Sequence, residues 1–312
     1  MVKKMLSMIL IYILISIILL PALITYCSSH SSQQTETAPE SELAMPETIR
    51  PSSGEFEDYI KGVVAAEMPA LFQQEALKAQ AVSARTYAVR KMQENATTEV
   101  PYNIGQAYIT IDEMKQKWGN NFASYYNKIS AAVDATKGEI MTYQNEPILA
   151  VFHAQSSGKT ESAENVWSQS VPYLQSVESI VDENAPDFEK TVSFTYDEII
   201  KKFTEKYNDF HLQKENMPQQ IIIKSRSDAG YVQQIQIGNQ TFTGKEVREA
   251  LGLRSANFTI AIENNTLFFT TKGYGHGAGM SQYGAEFMAQ QGKTYHEILQ
   301  HYYTGISFST IS

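Results

Sequence analysis

The spacing of apolar positions changes along the chain and predicts distinct elements. Phe56, Tyr59, Ile60, Val63 and Val64 recur at helical spacing, and Glu67 lies four residues beyond Val63 on the same stripe. Pro69 disfavours helix at Met68, so the segment ends there. A second, alanine-rich helix is expected over about 72–92, and a third amphipathic stretch over about 121–136. The period then drops to two. Glu139–Tyr143 and Pro147–His153 flank Gln144-Asn145-Glu146, and Gln220–Arg226 and Tyr231–Ile237 flank Ser227-Asp228-Ala229-Gly230. Phe258–Glu263 and Leu267–Lys272 flank Asn264-Asn265. Each pair reads as a β-hairpin. Thr243 and Glu246 form a capping-box pattern before a helix ending near Leu253. Two helices, about 281–291 and 295–303, follow. Hairpins segregated from helices indicate an α+β fold.

The N-terminus has a different pattern. Residues 5–27 carry no charge and follow Lys3 and Lys4. A bilayer core needs roughly 20 apolar residues, and flanking basic residues stay cytoplasmic. A cleaved signal peptide competes, but its apolar region spans only about 7–15 residues, and no A-x-A site is present. A lipoprotein signal at Cys27 wants a small residue where Tyr26 stands. Residues 1–27 are therefore expected to be a cytoplasmic stub and uncleaved single-pass anchor, with the remainder extracytoplasmic at the cell membrane. Residues 28–54 are rich in Ser, Thr, Glu and Pro and lack aromatics, as in a flexible linker. Its typical span as a coil is about 30 Å. Residues 55–312 form the expected folded domain.

Composition narrows the classes. With 312 residues, 43% apolar and 19% charged, the chain is neither collagenous, coiled-coil nor wholly disordered. Beyond residue 27 it holds 23 basic and 34 acidic residues, a net charge of −11. A polyanion binder needs a basic excess to release counterions, which argues against nucleic acid as a partner. The single cysteine, Cys27, excludes an internal disulfide framework, a Cys-rich zinc site and a CxxC pair.

Four constellations are candidates for chemistry. Glu67 combines an apolar stripe with a helix C-terminus, and both raise a carboxylate's pKa. That suits a general acid; the bland alternative is a helix-end residue turned to solvent. Lys78 and Arg85, seven apart on one helix face, either clamp an anion or form a solvated face. The run Gly273-Tyr274-Gly275-His276-Gly277-Ala278-Gly279 is GxGxG rather than GxGxxG, and too little chain follows to complete a dinucleotide fold. Its glycines permit close backbone approach, to a substrate or to another element, and make His276 a functional candidate. His296 and His301 are a near miss to HExxH, but lie about 140° apart around a helix. Ser156-Ser157-Gly158-Lys159 matches S-x-x-K without the companion motifs.

Longer motifs carry a resemblance. Residues 56–90, VFHAQSSGKTESAENVWSQSVPYLQSV (151–177), TGKEVREALGLRS (243–255) and KGYGHGAGMSQYGAEFMAQQGKTYHEILQHYYTG (272–305) resemble the stage II sporulation protein D family, in order, across nearly all of 56–308. The resemblance implies a lytic transglycosylase that cuts peptidoglycan glycan strands in septal remodelling and forespore engulfment. It implies as partners an amidase that strips stem peptides and a membrane scaffold that recruits both. Glu67, in the family's A-E-M-P motif, is the implied catalytic residue. Lys78 and Arg85 are implied glycan-binding residues, and His153, Ser156, Tyr173, His276, Gln282 and Tyr283 implied cleft residues. One similar branch binds zinc through cysteines and histidines. Gln155 and Ser156 follow His153 here and no cysteine lies beyond Cys27, so no metal or cofactor is expected.

One carboxyl group is enough for that chemistry. Ordinary glycosidases use two carboxylates flanking the scissile bond. In a lytic transglycosylase the muramic C6 hydroxyl is the internal nucleophile, so no water is activated. Two other classes stay open: a non-catalytic glycan-binding module that positions a partner amidase, and a metal hydrolase with a poor ligand inventory.

Overall fold

The computed structural model describes residues 48–49, 54–97, 100–101 and 104–311. The expected anchor, and the linker up to residue 47, lie outside these residues. Among the described residues no helix is long and apolar enough to cross a membrane. Thr48–Ile49 (β1), placed in the linker by composition, pairs antiparallel with Val100–Pro101 (β2). The compact unit accordingly begins at Thr48.

The architecture is α+β with several small sheets. One core is mainly helical. Helix α1 (Gly54–Glu67) buries Phe56, Tyr59, Ile60, Val63 and Val64, the stripe expected from spacing. It packs on α2 (Gln74–Glu94), whose buried Ala76, Ala79, Ala81, Ala84 and Ala88 let neighbouring backbones approach closely. Gln73 does not cap α2 with its own side chain, and Glu286 accepts the Gln73 N–H instead. Helices α3 (Ile111–Trp118) and α4 (Phe122–Ala135) follow. Then β3 (Glu139–Tyr143) and β4 (Glu146–Pro147) turn through Gln144 and Asn145, both at positive φ. This hairpin's second arm is shorter than expected. Phe152–His153 (β5) leaves it and pairs in parallel with a distant strand, Met280–Ser281.

A second core lies among β-sheets. After the short helix α5 (Ala163–Trp167), β6 (Glu189–Thr195) runs into α6 (Tyr196–Lys206), neither of which was anticipated. Helix α7 (Met217–Gln220) leads to the antiparallel sheet β7 (Ile221–Arg226), β8 (Val232–Ile237) and β9 (Gln240–Phe242). Helix α8 (Gly244–Leu251) has the expected capping box, Thr243 with Glu246, and ends on left-handed Gly252. Strands β10 (Phe258–Glu263) and β11 (Thr266–Lys272) turn at Asn264-Asn265, both at positive φ, which suits a two-residue hairpin. β6 extends that sheet on the other edge of β11.

The chain then returns to the helical core through β12 (Met280–Ser281), α9 (Gln282–Gln290), α10 (Tyr295–Tyr302) and β13 (Ser307–Thr310), which pairs with β3. The glycine run 273–279 carries the chain between the cores. Its four glycines all hold positive φ, and a Cβ at Gly279 would stand 2.0 Å from the Val151 carbonyl oxygen. Side chains do not fit that crossing.

Candidate active site

Glu67 is the last residue of α1, half-buried, with both carboxylate oxygens engaged. The Ala107 N–H donates to Oε1 at 2.8 Å, and Gln282 Nε2 donates to Oε2 at 3.2 Å. Gly62 permits the first contact. The segment after β2 lies on α1, where Ile109 N–H donates to the Gly62 carbonyl at 3.3 Å. A Cβ at Gly62 would meet the Tyr108 ring at 2.2 Å and push that segment off. Gln282, at the start of α9, is buried and also reaches Gln80 Oε1 at 3.4 Å.

Glu67 opens into a cavity of about 500 Å³. Phe72 and Tyr283 meet edge to face on its wall, with centroids 5.1 Å apart. Opposite in chemistry is a cationic, aromatic pair: the Arg254 guanidinium lies 4.5 Å from the centroid of the exposed Tyr274 ring. Asp187 also lines the cavity, with Oδ2 3.7 Å from Arg254 Nη1. Aromatic faces, one positioned carboxylate and one guanidinium suit an acidic carbohydrate.

Of the residues singled out from sequence, Gln282 and Tyr283 share this cavity with Glu67. Ser156 lies behind its wall. Fully buried, its Oγ and N–H both donate to Asp182, which also accepts from Ser179 and Ser281. Burial pushes the Asp182 carboxyl above its ordinary range, against the pull of those donors. Asp182 thus ties together the segments that carry Gln155 and Gln282 into the cavity. Tyr173 is nearly buried, its hydroxyl accepting from Leu149 N–H at 2.9 Å. His153 is buried with Nδ1 3.0 Å from the Ala278 carbonyl, and its ring centroid is 5.6 Å from that of His276. Burial, reinforced by neighbouring cationic charge, lowers His153 to about 3 and His276 to about 4, so both are neutral at pH 7.

The two cations expected to hold the glycan need correction. Arg85 is fully buried in the helical core and forms a bidentate pair with Glu57, at 3.0 and 2.7 Å. Its Nη1 also donates to the Glu139 carbonyl at 3.0 Å. It joins α1, α2 and β3 and cannot reach a strand. Lys78 pairs with Glu75 at 2.7 Å and lies 5.6 Å from the Tyr295 ring centroid, where α2 meets α10, and does not line the Glu67 cavity. Helical spacing puts both on one side of α2, where the fold covers Arg85 entirely and Lys78 only in part.

Arg254, Tyr274, Phe72, Gln155 and Asp187 went unselected. Arg254 and Tyr274 sit inside motifs already noticed, but nothing in their spacing announces that they stack. Of the near-miss histidines, His296 contacts Glu139 at 2.7 Å while His301 contacts the Glu178 carbonyl, so they diverge. Among the described residues no group of three His, Cys, Asp or Glu is placed to hold a metal ion.

Comparison with known proteins assigns the chain to a family. The sequence matches the family model described as Stage II sporulation protein over residues 51–143. It is 41% identical over 261 residues to stage II sporulation protein D of Bacillus subtilis, covering 81% of this chain and 74% of the relative. The chain belongs to the stage II sporulation protein D family. The counterpart from Bacillus amyloliquefaciens is 40% identical over the same shares. A protein of Bacillus subtilis named Amidase enhancer is 27% identical over 301 residues, covering 80% of this chain and 40% of that relative.

Proposed function

We propose that this sporulation-family protein is a membrane-anchored lytic transglycosylase that cleaves the MurNAc–GlcNAc bond of peptide-stripped peptidoglycan, with its folded unit outside the cytoplasm. The observation that carries the reading is Glu67, a carboxyl at the cavity edge held by a backbone N–H and a buried glutamine and unpaired with any cation among the described residues. In the reaction Glu67 protonates the leaving glycosidic oxygen as the bond to C1 breaks. The muramic C6 hydroxyl attacks C1 and returns its proton to Glu67, leaving a 1,6-anhydro end. No water is consumed and the acid is regenerated. Arg254, stacked on Tyr274, holds a lactyl carboxylate and so takes the glycan-binding role that the resemblance implied for Lys78 and Arg85. An amidase supplies the stripped strand, and a membrane scaffold brings the two together.

Asp187 is the other carboxylate in the cavity, but it is exposed and faces Arg254. A two-carboxylate hydrolase would need it free for water. The name of the amidase-enhancer relative favours a second reading, a glycan-binding module that positions an amidase. Glu67→Gln separates the two. It keeps the shape and removes the transferable proton, so strand cleavage should fall at least ~100-fold while binding persists. Unchanged turnover would remove Glu67 from the chemistry, and wild-type binding without any cleavage would favour the module.

A further inference from the structure

Two residues along the glycine run from Tyr274, His276 lines a second and larger cavity of about 660 Å³. A smaller cavity, about 210 Å³, shares Trp167 and His276 with it. That smaller cavity is also lined by Gln106 and Phe152. Gln106 is next to Ala107, the donor to Glu67, and Phe152 is two residues from Ala154 in the wall of the Glu67 cavity. The two cavities at Trp167 and His276 thus adjoin, and the chain segments that line the smaller one continue into the wall of the Glu67 cavity.

The large cavity has chemistry of its own. Trp167, at the end of α5, is 37% exposed, and its ring centroid lies 5.2 Å from that of His276. Its carboxylates are mostly committed. Glu161 accepts from Ser162 N–H, Asn165 Nδ2 and Ser227 Oγ. Glu246 closes the capping box of α8, and Glu249 lies 3.7 Å from Lys206. The cations are not. Arg248 is anchored through Nε to the Arg254 carbonyl at 3.2 Å, and among the described residues it has no ion-pair partner. Lys245, three residues earlier on the same helix and exposed, is likewise unpaired among them. An exposed indole and an uncommitted, oriented guanidinium in the lining of one cavity suit a sugar whose C–H face stacks on the indole and whose carboxylate meets the guanidinium.

We propose that this cavity is a distal subsite for an acidic N-acetylated sugar of the bound strand, its ring stacked on Trp167 and its lactyl carboxylate held by Arg248. The proposal rests on the glycan reading of the Glu67 cavity and adds where the strand runs and which sugar is read at a distance. A strand long enough to reach both cavities binds through two anchors, and a short fragment through one. Stem peptides turn the lactyl carboxylate into a neutral amide, so the subsite also selects stripped strands.

The test uses the full-length chain with Glu67→Gln, so that strands stay intact during binding. Affinity is measured for long stripped strands, for a stripped tetrasaccharide, and for long strands whose lactyl carboxylates have been converted to methyl amides. Arg248→Gln and Trp167→Ala should each lower the ratio of long-strand to tetrasaccharide affinity by about tenfold or more, the loss typical of a charge-assisted contact. Trp167→Phe should recover part of it. Amidated strands lose the lactyl contacts to both Arg248 and Arg254, so they should bind more weakly than stripped strands bind Arg248→Gln, and that variant should then change nothing further for them. An unaltered ratio in folded Arg248→Gln protein overturns the subsite, and so does an equal loss for amidated strands. Should Trp167→Ala not fold, the Arg248 variants decide. Cleavage by the wild type without this dependence sinks the subsite and spares the enzyme reading. Dependence without cleavage does the reverse, and no strand binding at all overturns both.

Discussion

Arg85→Ala distinguishes a frame residue from a ligand for the glycan. The substitution removes two hydrogen bonds to Glu57, at 3.0 and 2.7 Å, and one each to the Glu139 and Val133 carbonyls, at 3.0 and 3.4 Å. Glu57 stays nearly buried with only the Gly138 N–H, 3.2 Å from Oε1, to compensate it. Stranding one member of a buried pair costs about 3–5 kcal/mol. For a unit of this size each kcal/mol lowers Tm by about 2–4 °C, so a fall on the order of 10 °C is expected. Arg85→Met combined with Glu57→Gln should recover much of it, because no uncompensated charge remains and Gly138 keeps an acceptor. Thermal unfolding followed by circular dichroism reads the first effect. Strand affinity, measured well below both melting points, should differ from wild type by less than about twofold, the scatter of an uninvolved site. Wild-type Tm with lost strand affinity would refute the reasoning and return Arg85 to the cleft.

Acid should destabilise the fold through His153, which is buried, and His276, which is half-buried. Their folded values, about 3 for His153 and about 4 for His276, lie below the ordinary 6.5, so the unfolded chain binds more protons between those limits. The stability they confer is complete above pH 6.5 and is lost as pH falls toward 4. Urea unfolding at pH 7.5 and 5.5 should differ by about 1–3 kcal/mol, His276 giving the smaller share because its edge lines a cavity; equal stabilities would contradict their burial. Asp187→Asn should lower cleavage less than ~10-fold, below the usual general-base contribution, whereas a collapse by ~1000-fold would make it a second catalytic carboxylate.

What could be read from sequence was local. The turn at Asn264-Asn265, the cap at Thr243 and Glu246, and the buried stripe of α1 all depend on neighbouring residues, and the structure repeats them. Strand β6 escaped because it is an edge strand with most side chains exposed and only Val192 and Phe194 packed inward. Thr195 and Glu198 repeat the spacing of a capping box and could have marked α6. Glu67, Gln282 and Tyr283, singled out from sequence, line one cavity. Arg85 was misplaced because its partner, Glu57, comes from another helix 28 residues away, and helical spacing names a face without saying what covers it. The Asp182 cluster and the Arg254–Tyr274 stack join segments that only the folded chain brings together.

The most direct test of the catalytic mechanism is the mass of the ends that wild-type protein creates on peptide-free strands. Internal attack by the C6 hydroxyl predicts 1,6-anhydro-muramic ends, lighter than reducing ends by one water, and their disappearance in Glu67→Gln. Reducing ends carrying the added water would contradict the transglycosylase mechanism.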